Sequence, residues 1–264
     1  MSAPDATGGP AASGQETAAT LSVWTVLQAV ASDIRRHPRW LVPFTVAGLI
    51  VGLADWVRES DPIPMLVPEA FQETVSVQYS LVPTGTQRTI RAADALVDLR
   101  PPYLVGAVGL ELVVLVAVAG AGYLTLRRAL GTSDSRAGVV RYGVLVAVVE
   151  FLPQWLGTAH VSFTNLLFGL LAIVLFMVLA VRLFLVPGFV VMGHSFRRAV
   201  GQSRRQSRGI GWTLAGLVVV LGISSWGLAQ IPLAGGFLSM AIVGPVQAIA
   251  VGRLIQRPAQ TPSD

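Results

Sequence analysis

The stretch RLFLVPGFVVMGHSFRRAVGQSRRQSRGIGW, residues 182–212, decides how this chain folds. It leaves one long apolar run, breaks at Pro187-Gly188, and becomes strongly basic before the next apolar run begins. The arginines after the break are Arg197, Arg198, Arg204, Arg205 and Arg208. A basic segment between two apolar runs is typical of a cytoplasmic connection held at the membrane surface between two spanning helices. Its placement on the inner side fixes the sidedness of the other segments.

The composition indicates a membrane protein. Hydrophobic residues make up 53% of the 264 residues, the mean hydropathy is +0.65, and only 12% of the residues are charged. A soluble domain carries about 25% charged residues, so the deficit is roughly twofold. Several uninterrupted apolar runs of spanning length therefore predict transmembrane helices in place of a soluble core.

Six apolar runs predict an all-α fold, a polytopic transmembrane bundle of about six helices within residues 21–257. The predicted spans are 40–57, 102–126, 139–156, 166–185, 210–229 and 235–254. Residues 1–20 are mostly Ala, Gly, Ser, Thr and Pro without a signal-peptide pattern, so we expect a disordered N-terminal tail. Residues 258–264 are expected to form a short C-terminal tail.

The distribution of arginine predicts the topology. Fifteen arginines fall on one side of the predicted spans, and the four on the other side are Arg58, Arg88, Arg91 and Arg100. The positive-inside rule then predicts a cell-membrane protein with both termini in the cytoplasm. The net charge of +5 would suggest nucleic-acid binding in a soluble protein. Aromatic or groove-reading partners for that role are missing, so no nucleic-acid partner is expected.

Two segments outside the spans have their own patterns. Residues 21–36 place Leu21, Trp24, Leu27, Ala31 and Ile34 on one helical face. This N-terminal helix is expected either to lie in the membrane interface or to pack on the bundle from the cytoplasm. The acidic loop 58–101 is expected to form a small extracytoplasmic cap. Alternation over 74–81 predicts a short strand there, and 86–99 predicts an amphipathic helix.

Polar residues inside the predicted spans are the first site candidates. They are Glu111, Glu150, Gln154, Ser224, Ser225 and Gln230, all toward the outer side. A charge at mid-membrane costs about 2.5–3.5 kcal/mol on insertion scales, so each carboxyl group needs a partner, water or a proton. If Glu111 and Glu150 share one polar cavity, each raises the proton affinity of the other, as in a proton- or cation-coupled permease. Alternatively, each glutamate bonds a serine or amide of a neighbouring helix, or is protonated.

The arginines of the inner segment are the second site candidates. Those expected to contact lipid headgroups are Arg182, Arg197, Arg198, Arg204, Arg205 and Arg208. Each arginine near an anionic leaflet contributes about 1 kcal/mol of attraction. The expected partners are therefore the lipid bilayer, anionic lipids in particular, and other membrane proteins. Ser203 and Ser207 lie in a repeated Gln-Ser-Arg unit, and the repeat raises the hypothesis that they are phosphorylated.

Absent residue types exclude several chemistries. Because the chain has no cysteine, it has no disulfide, thiolate nucleophile or cysteine zinc site. Because it has no lysine, it has no P-loop and no Schiff-base chemistry. His37, His160 and His194 are scattered, and no GxSxG or HExxH motif occurs. We therefore predict no catalytic residue, no metal or cofactor, and a protein that is not an enzyme.

One sequence element resembles a known family. It consists of an arginine, a proline and a basic helix of the form A-x-x-x-S, with the residues Arg182, Pro187, Gly193, Ala199, Ser203 and Gly209. The element is similar to the membrane domain associated with glycerophosphodiester phosphodiesterases and to a broad set of uncharacterised prokaryotic multi-pass membrane proteins. Pro38 before the first span is also similar. The resemblance implies a membrane bundle. Since the phosphodiesterase catalytic domain has no counterpart in this sequence, it implies no hydrolase activity.

Overall fold

The computed structural model describes residues 22–61, 63, 65–66, 79–85, 90–91, 99–155, 166–231 and 234–257. These residues form nine α-helices and one 3-10 turn, Pro38–Trp40. The helices are α1 Val23–Arg36, α2 Val42–Ser60, α3 Pro101–Leu130, α4 Arg136–Trp155, α5 Leu166–Leu183, α6 Val186–Val191, α7 Phe196–Gln206, α8 Gly211–Ala229 and α9 Gly235–Gln256. Two short strands, β1 Met65–Leu66 and β2 Ile90–Arg91, pair antiparallel.

Five described stretches are long and apolar enough to cross a membrane. They are Pro38–Ser60, Pro101–Leu130, Leu170–Val191, Gly211–Ala229 and Gly235–Gln256. The predicted class, a helical multi-pass membrane protein, agrees with these five helices. Helix α4 covers the third predicted span without being one of the five. The count of six therefore stays a prediction.

Helix α9 is the centre of the bundle. It packs against α1, α2, α3, α6 and α8, and its buried residues lie on all its faces. A helix that is buried all round must be apolar or satisfied on every face. Its one buried amide, Gln247, is 2% exposed and is hydrogen-bonded.

Helix α1 packs on the bundle through a different face from the one predicted. Val26, Val30 and Asp33 are buried, whereas Trp24 is 67% exposed. The carboxyl group of Asp33 accepts hydrogen bonds from the guanidinium of Arg253 in α9. The apolar residues of α1 cover more than one face, and this ion pair to α9 selects the face that turns inward. The packing agrees with the alternative in which α1 lies on the bundle.

The apolar run after residue 166 is broken where the sequence predicts. Helix α5 ends at Leu183, Phe184 and Leu185 form a turn, and α6 follows with Pro187 near its start. Proline lacks an amide hydrogen and its ring clashes with the carbonyl four residues earlier, so it kinks or breaks a helix in its interior and fits best in the first turn. All six residues of α6 are buried. The break therefore turns the chain inward before α7 begins.

The loop between α2 and α3 differs from its prediction where it is described. Ile90–Arg91 is a strand paired with Met65–Leu66, so the helix predicted for 86–99 is wrong at these positions. Cross-strand pairing with the other side of the loop overrides the local helical pattern. Most of the predicted strand, 74–78, lies outside the described residues, as do the predicted tails 1–20 and 258–264, and the prediction is wrong at its described residues 79–81, which form no strand.

Candidate functional site

The basic ends of several helices meet at one end of the bundle, which we call the arginine-rich end. The Gln256 side chain of α9 donates a 2.9 Å hydrogen bond to the Ala129 carbonyl oxygen of α3. The Gln206 side chain of α7 donates a 2.9 Å hydrogen bond to the Leu254 carbonyl oxygen of α9. With the ion pair between α1 and α9, these contacts join α1, α3, α7 and α9.

Helix α7 is attached to the bundle through two serines. Ser203 donates its hydroxyl to the carbonyl oxygen of Arg182 at 2.6 Å, and Ser207 donates to that of Val181 at 3.1 Å. The last four carbonyls of a helix have no intrahelical partner, and both acceptors lie in the last turn of α5. The two serines thus satisfy carbonyls that the break after α5 leaves open.

The same contacts argue against phosphorylation of these serines. Ser203 is 0% exposed and Ser207 is 2% exposed. A phosphate on either hydroxyl would have no room and would remove the hydrogen bond to α5. The Gln-Ser-Arg repeat is explained instead by helix spacing, since residues four apart lie on one helical face.

The opposite face of α7 presents its arginines. Arg197, Arg204 and Arg205 of α7 are exposed, as is Arg208 just after the helix, and we call these four residues the α7 basic face. Two apolar side chains flank them, Phe196 at 38% and Trp212 at 93% exposure. A helix with cations on one side and exposed aromatic residues at its ends has the pattern of an element lying at a membrane surface.

Of the six arginines predicted to contact headgroups, Arg182 has a structural partner. Its guanidinium donates a 3.2 Å hydrogen bond to the carbonyl oxygen of Arg204. This bond satisfies a carbonyl near the end of α7, as basic side chains commonly do. The other five predicted arginines, Arg198 among them, are exposed.

A buried ionic cluster lies at the other end of α2. The Arg58 side chain is 0% exposed and binds Glu111 of α3 through two bonds, Nε to Oε1 at 3.0 Å and Nη2 to Oε2 at 2.7 Å. Its Nη1 donates to Asp55 at 2.8 Å. This bidentate geometry is the strongest arginine–carboxylate arrangement. We call these three residues the Arg58 cluster.

The second glutamate has a different partner. The side chain of Thr84 hydrogen-bonds the carboxyl group of Glu150 in α4. Thr84 belongs to the segment Tyr79–Gly85, which we call the inserted segment because it lies against helices of the bundle. The carbonyl oxygen of Ser80 accepts a 2.9 Å hydrogen bond from Gln247 of α9.

Further contacts of the inserted segment show how deeply it is seated. Tyr79 stacks on Phe184, at the end of α5, with ring centroids 6.1 Å apart. Val82 is 0% exposed. Gly85 lies directly against the backbone of Met240 in α9, where an added Cβ would clash. A connection between helices therefore contributes to the interior of the bundle.

The remaining predicted polar residues are placed separately. Ser225 of α8 lies 2.8 Å from Ser239 of α9, hydroxyl to hydroxyl, and both are buried. Ser224 and Gln230 are exposed. Gln154 belongs to α4, and its side chain lies outside the described part of the chain. Each of the two glutamates thus bonds its own partner, Arg58 or Thr84.

Sequence reasoning missed the part that Arg58 and Asp55 play. Both lie near the end of a predicted span, where polar side chains ordinarily reach the headgroups, but Arg58 is 1% exposed and Asp55 is 5% exposed. Their spacing of three residues on one helix is the signal that could have indicated an ion pair. Glu111, the one acid in the second predicted span, is the matching partner for a cation.

Comparison with known proteins gives no relative: no family model, no curated protein and no solved structure matches this chain. Among the residues that the structure describes, no group of three or more His, Asp or Glu side chains could hold a metal ion. The chemistry of the arginine-rich end and of the Arg58 cluster is therefore the basis for a functional assignment.

Proposed function

We propose that this chain is a non-enzymatic, six-span protein of the cell membrane whose arginine-rich end faces the cytoplasm. There it engages anionic lipids or partner membrane proteins, and both chain termini lie on the same side. The observation that carries the proposal is the construction of α7. Its serines are tied to α5, and its arginines are left exposed beside Phe196 and Trp212.

The energetics of the α7 basic face favour binding to an anionic surface. Each arginine near a leaflet rich in anionic lipid contributes about 1 kcal/mol to the free energy of binding, so the four arginines together contribute about 4 kcal/mol at moderate salt. Exposed aromatic side chains add affinity by partitioning into the headgroup region. Because α7 is already fixed to the bundle, little ordering entropy is lost on contact.

The length of α4 supports the sixth span. Its 20 residues extend over about 30 Å at 1.5 Å per residue, which matches the hydrocarbon thickness of a bilayer. An even number of spans would put both chain ends on one side. The contact between α1 and the end of α9 supports that arrangement, since Asp33 and Arg253 bond directly.

The resemblance to the membrane domain of glycerophosphodiester phosphodiesterases fits this proposal as well. Two of the residues on which it rests, Arg182 and Ser203, are hydrogen-bonded across the contact between α5 and α7, and a third, Ala199, is buried. The A-x-x-x-S part of the pattern thus has a packing reason, because both of its small residues are buried. It supports a shared membrane unit without hydrolase chemistry.

The permease alternative has less support. It needs Glu111 and Glu150 to bind a shared ion or solute, but Arg58 already engages Glu111 through two bonds. Thr84 engages Glu150. A carboxylate held by a buried guanidinium has little capacity left for a second cation. If the protein is a permease, Glu150→Gln must abolish flux of the transported solute in reconstituted vesicles.

Binding to vesicles of defined composition tests the proposal. The purified chain in neutral phosphatidylcholine nanodiscs is mixed with vesicles containing increasing fractions of phosphatidylglycerol, and the bound fraction is measured by flotation. We expect binding that rises with the anionic fraction and falls with salt. Combined replacement of Arg197, Arg204, Arg205 and Arg208 by Gln should reduce affinity by at least tenfold.

The matched control is Arg100→Gln, which removes one exposed arginine at the start of α3, away from the arginine-rich end. It should leave vesicle binding unchanged. Equal binding of the fourfold variant and the unmodified protein would overturn the proposal for lipid. A membrane-protein partner is then tested by co-purification with and without the fourfold change.

A further inference from the structure

An open cavity lies beside the start of α7 at the arginine-rich end. Its volume is about 530 Å³, within the range of small-molecule sites. The residues that line it are Arg141, Met192, Gly193, His194, Ser195 and Arg198. Among the described residues that line it, two carry guanidinium groups, one carries an imidazole, and none is acidic. The two guanidinium groups make the cavity a concentrated source of hydrogen-bond donors and positive charge.

The fold holds Arg141 at the wall of this cavity. Helix α4 approaches the end of α6 closely at Gly138, where an added Cβ would lie 3.1 Å from the Val191 carbonyl oxygen. One turn further along α4, Arg141 donates a 2.6 Å hydrogen bond through Nη1 to the Gly193 carbonyl oxygen. A side chain fixed in this way binds a ligand with little further loss of rotamer freedom. Its remaining guanidinium donors are left for a ligand.

His194 is also held in place. Its Nδ1 lies 3.2 Å from the carbonyl oxygen of Phe189, and its ring meets that of Phe189 edge to face at 5.9 Å. Because a carbonyl oxygen can only accept, this contact assigns a proton to Nδ1, and the neutral ring then keeps Nε2 as an acceptor. His194 therefore shapes the wall, and the donors come from Arg141 and from Arg198, an exposed side chain in the first turn of α7.

This donor set suits one chemical group. Guanidinium groups bind phosphate oxygens in a bidentate manner, and two of them supply more donors than a single carboxylate can accept. We propose that the cavity is a binding site for one phosphate group, either a lipid headgroup at the bilayer surface or a soluble phosphate. The inference rests on the proposed function only in placing this end of the bundle at an anionic surface.

The cavity differs from the α7 basic face in how it binds. The exposed arginines of that face attract any anionic surface, and their contribution falls with salt. Arg141 is partly buried and already positioned, so the cavity is expected to hold one ligand at a defined stoichiometry. Arg35, in the last turn of α1, is exposed, lies outside the α7 basic face and does not line the cavity, which makes it the matched control.

The test uses the full chain in neutral phosphatidylcholine nanodiscs. One arm adds inorganic phosphate, and the other adds short-chain phosphatidic acid, with binding followed by the shift in thermal unfolding midpoint and by native mass spectrometry. We expect one saturable ligand per chain in at least one arm. Arg198→Gln should weaken that binding by about tenfold, because one charge-assisted contact is lost. Arg35→Gln should change it less than twofold.

Arg141→Lys provides a second variant, since it keeps a donor for the Gly193 carbonyl but loses the guanidinium fork. It should also weaken binding while the unfolding midpoint without ligand stays close to that of the unmodified protein. Saturation by inorganic phosphate would identify a soluble ligand, and saturation by phosphatidic acid alone would identify a headgroup. Equal losses in Arg198→Gln and Arg35→Gln, or no saturable binding in either arm, would overturn the inference.

The two proposals can fail separately. If the cavity variants bind phosphate normally while the fourfold variant of the basic face loses vesicle binding, the cavity inference is wrong and the proposed function stands. Suppose instead that the fourfold variant binds vesicles as well as the unmodified protein does, while one phosphate group binds per chain and this binding depends on Arg198. The proposed surface role is then wrong and the cavity remains a site.

Discussion

The hydroxyl group of Ser203 in α7 donates a 2.6 Å hydrogen bond to the backbone carbonyl of Arg182 in α5. In return, the guanidinium of Arg182 donates to the carbonyl oxygen of Arg204 at 3.2 Å. Each helix thus satisfies an open carbonyl of the other where the chain turns at Phe184–Leu185. The reciprocal pair makes the broken helix and the basic helix one packed unit.

Ser203→Ala should destabilise this unit. The Arg182 carbonyl would lose its partner in a position without access to water, since Ser203 is 0% exposed. An unsatisfied buried acceptor costs about 1–3 kcal/mol. Thermal unfolding in nanodiscs, followed by tryptophan fluorescence, measures the loss. Ser224→Ala removes an exposed hydroxyl and should have little effect; a loss as large as that of Ser203→Ala would contradict the argument.

Arg58→Gln should be among the most destabilising single changes. It leaves the carboxylates of Asp55 and Glu111 without their shared cation, and breaking a buried ion pair costs about 3–5 kcal/mol. The double variant Arg58→Gln with Glu111→Gln should be more stable than the sum of the single changes, with a coupling of about 0.5–3 kcal/mol. Additive effects would show that the pair contributes no coupling. Arg100→Gln is the exposed control.

Gly85→Ala should disrupt the packing of the inserted segment against α9. An added Cβ would meet the backbone of Met240, which cannot rotate away as a side chain can. The expected cost of this overpacking is about 1–3 kcal/mol, measured as a lower unfolding midpoint. Gly106→Ala is the control, because nothing lies within 4 Å of a Cβ there. Identical midpoints for the two variants would show that the segment is not packed against α9.

The absence of cysteine allows a direct test of sidedness. Glu59→Cys and Gly201→Cys place single thiols at exposed positions in the last turn of α2 and on α7. In intact cells a membrane-impermeant maleimide should label the first thiol, and it should label the second only after permeabilisation. The reverse pattern would invert the proposed topology. Val82→Cys, at a position that is 0% exposed, should resist labelling under both conditions until the protein is unfolded.

The sequence predicts the helices well because their signals are strong and local. Apolar runs of spanning length bounded by arginine give bounds close to those observed, as for the predicted span 235–254 and α9 at Gly235–Gln256. The break at Pro187 is equally local, since proline removes a hydrogen bond from the helical ladder and kinks or breaks it. Support for a predicted span is weakest at α4, which is a helix but is not one of the five stretches apolar enough to cross a membrane.

Side-chain partners are harder to predict, because they depend on contacts between distant residues. An arginine at the end of a span ordinarily reaches the headgroups, and only the approach of Glu111 on another helix reveals that Arg58 is buried. In the sequence, Ser203 and Ser207 cannot be distinguished from exposed polar residues, because the open carbonyls of α5 that they bind are seen only in the structure. The inserted segment carries a misleading signal, because the alternation over 74–81 predicts a strand, whereas the described residues Tyr79–Gly85 are irregular and packed against distant helices.

Because the inserted segment packs against α9, the bundle must assemble in a fixed order. Gln247 and Met240 belong to α9, which is synthesised after Tyr79 and Gly85, since these two residues precede α3. The segment therefore cannot reach its packed position until α9 has joined the bundle. Until then the Gln247 amide lacks the Ser80 carbonyl that accepts its hydrogen bond in the folded bundle. In a chain truncated before Gly235 the inserted segment would lack its contacts with Gln247 and Met240, and we expect quality-control proteases to degrade such a chain faster.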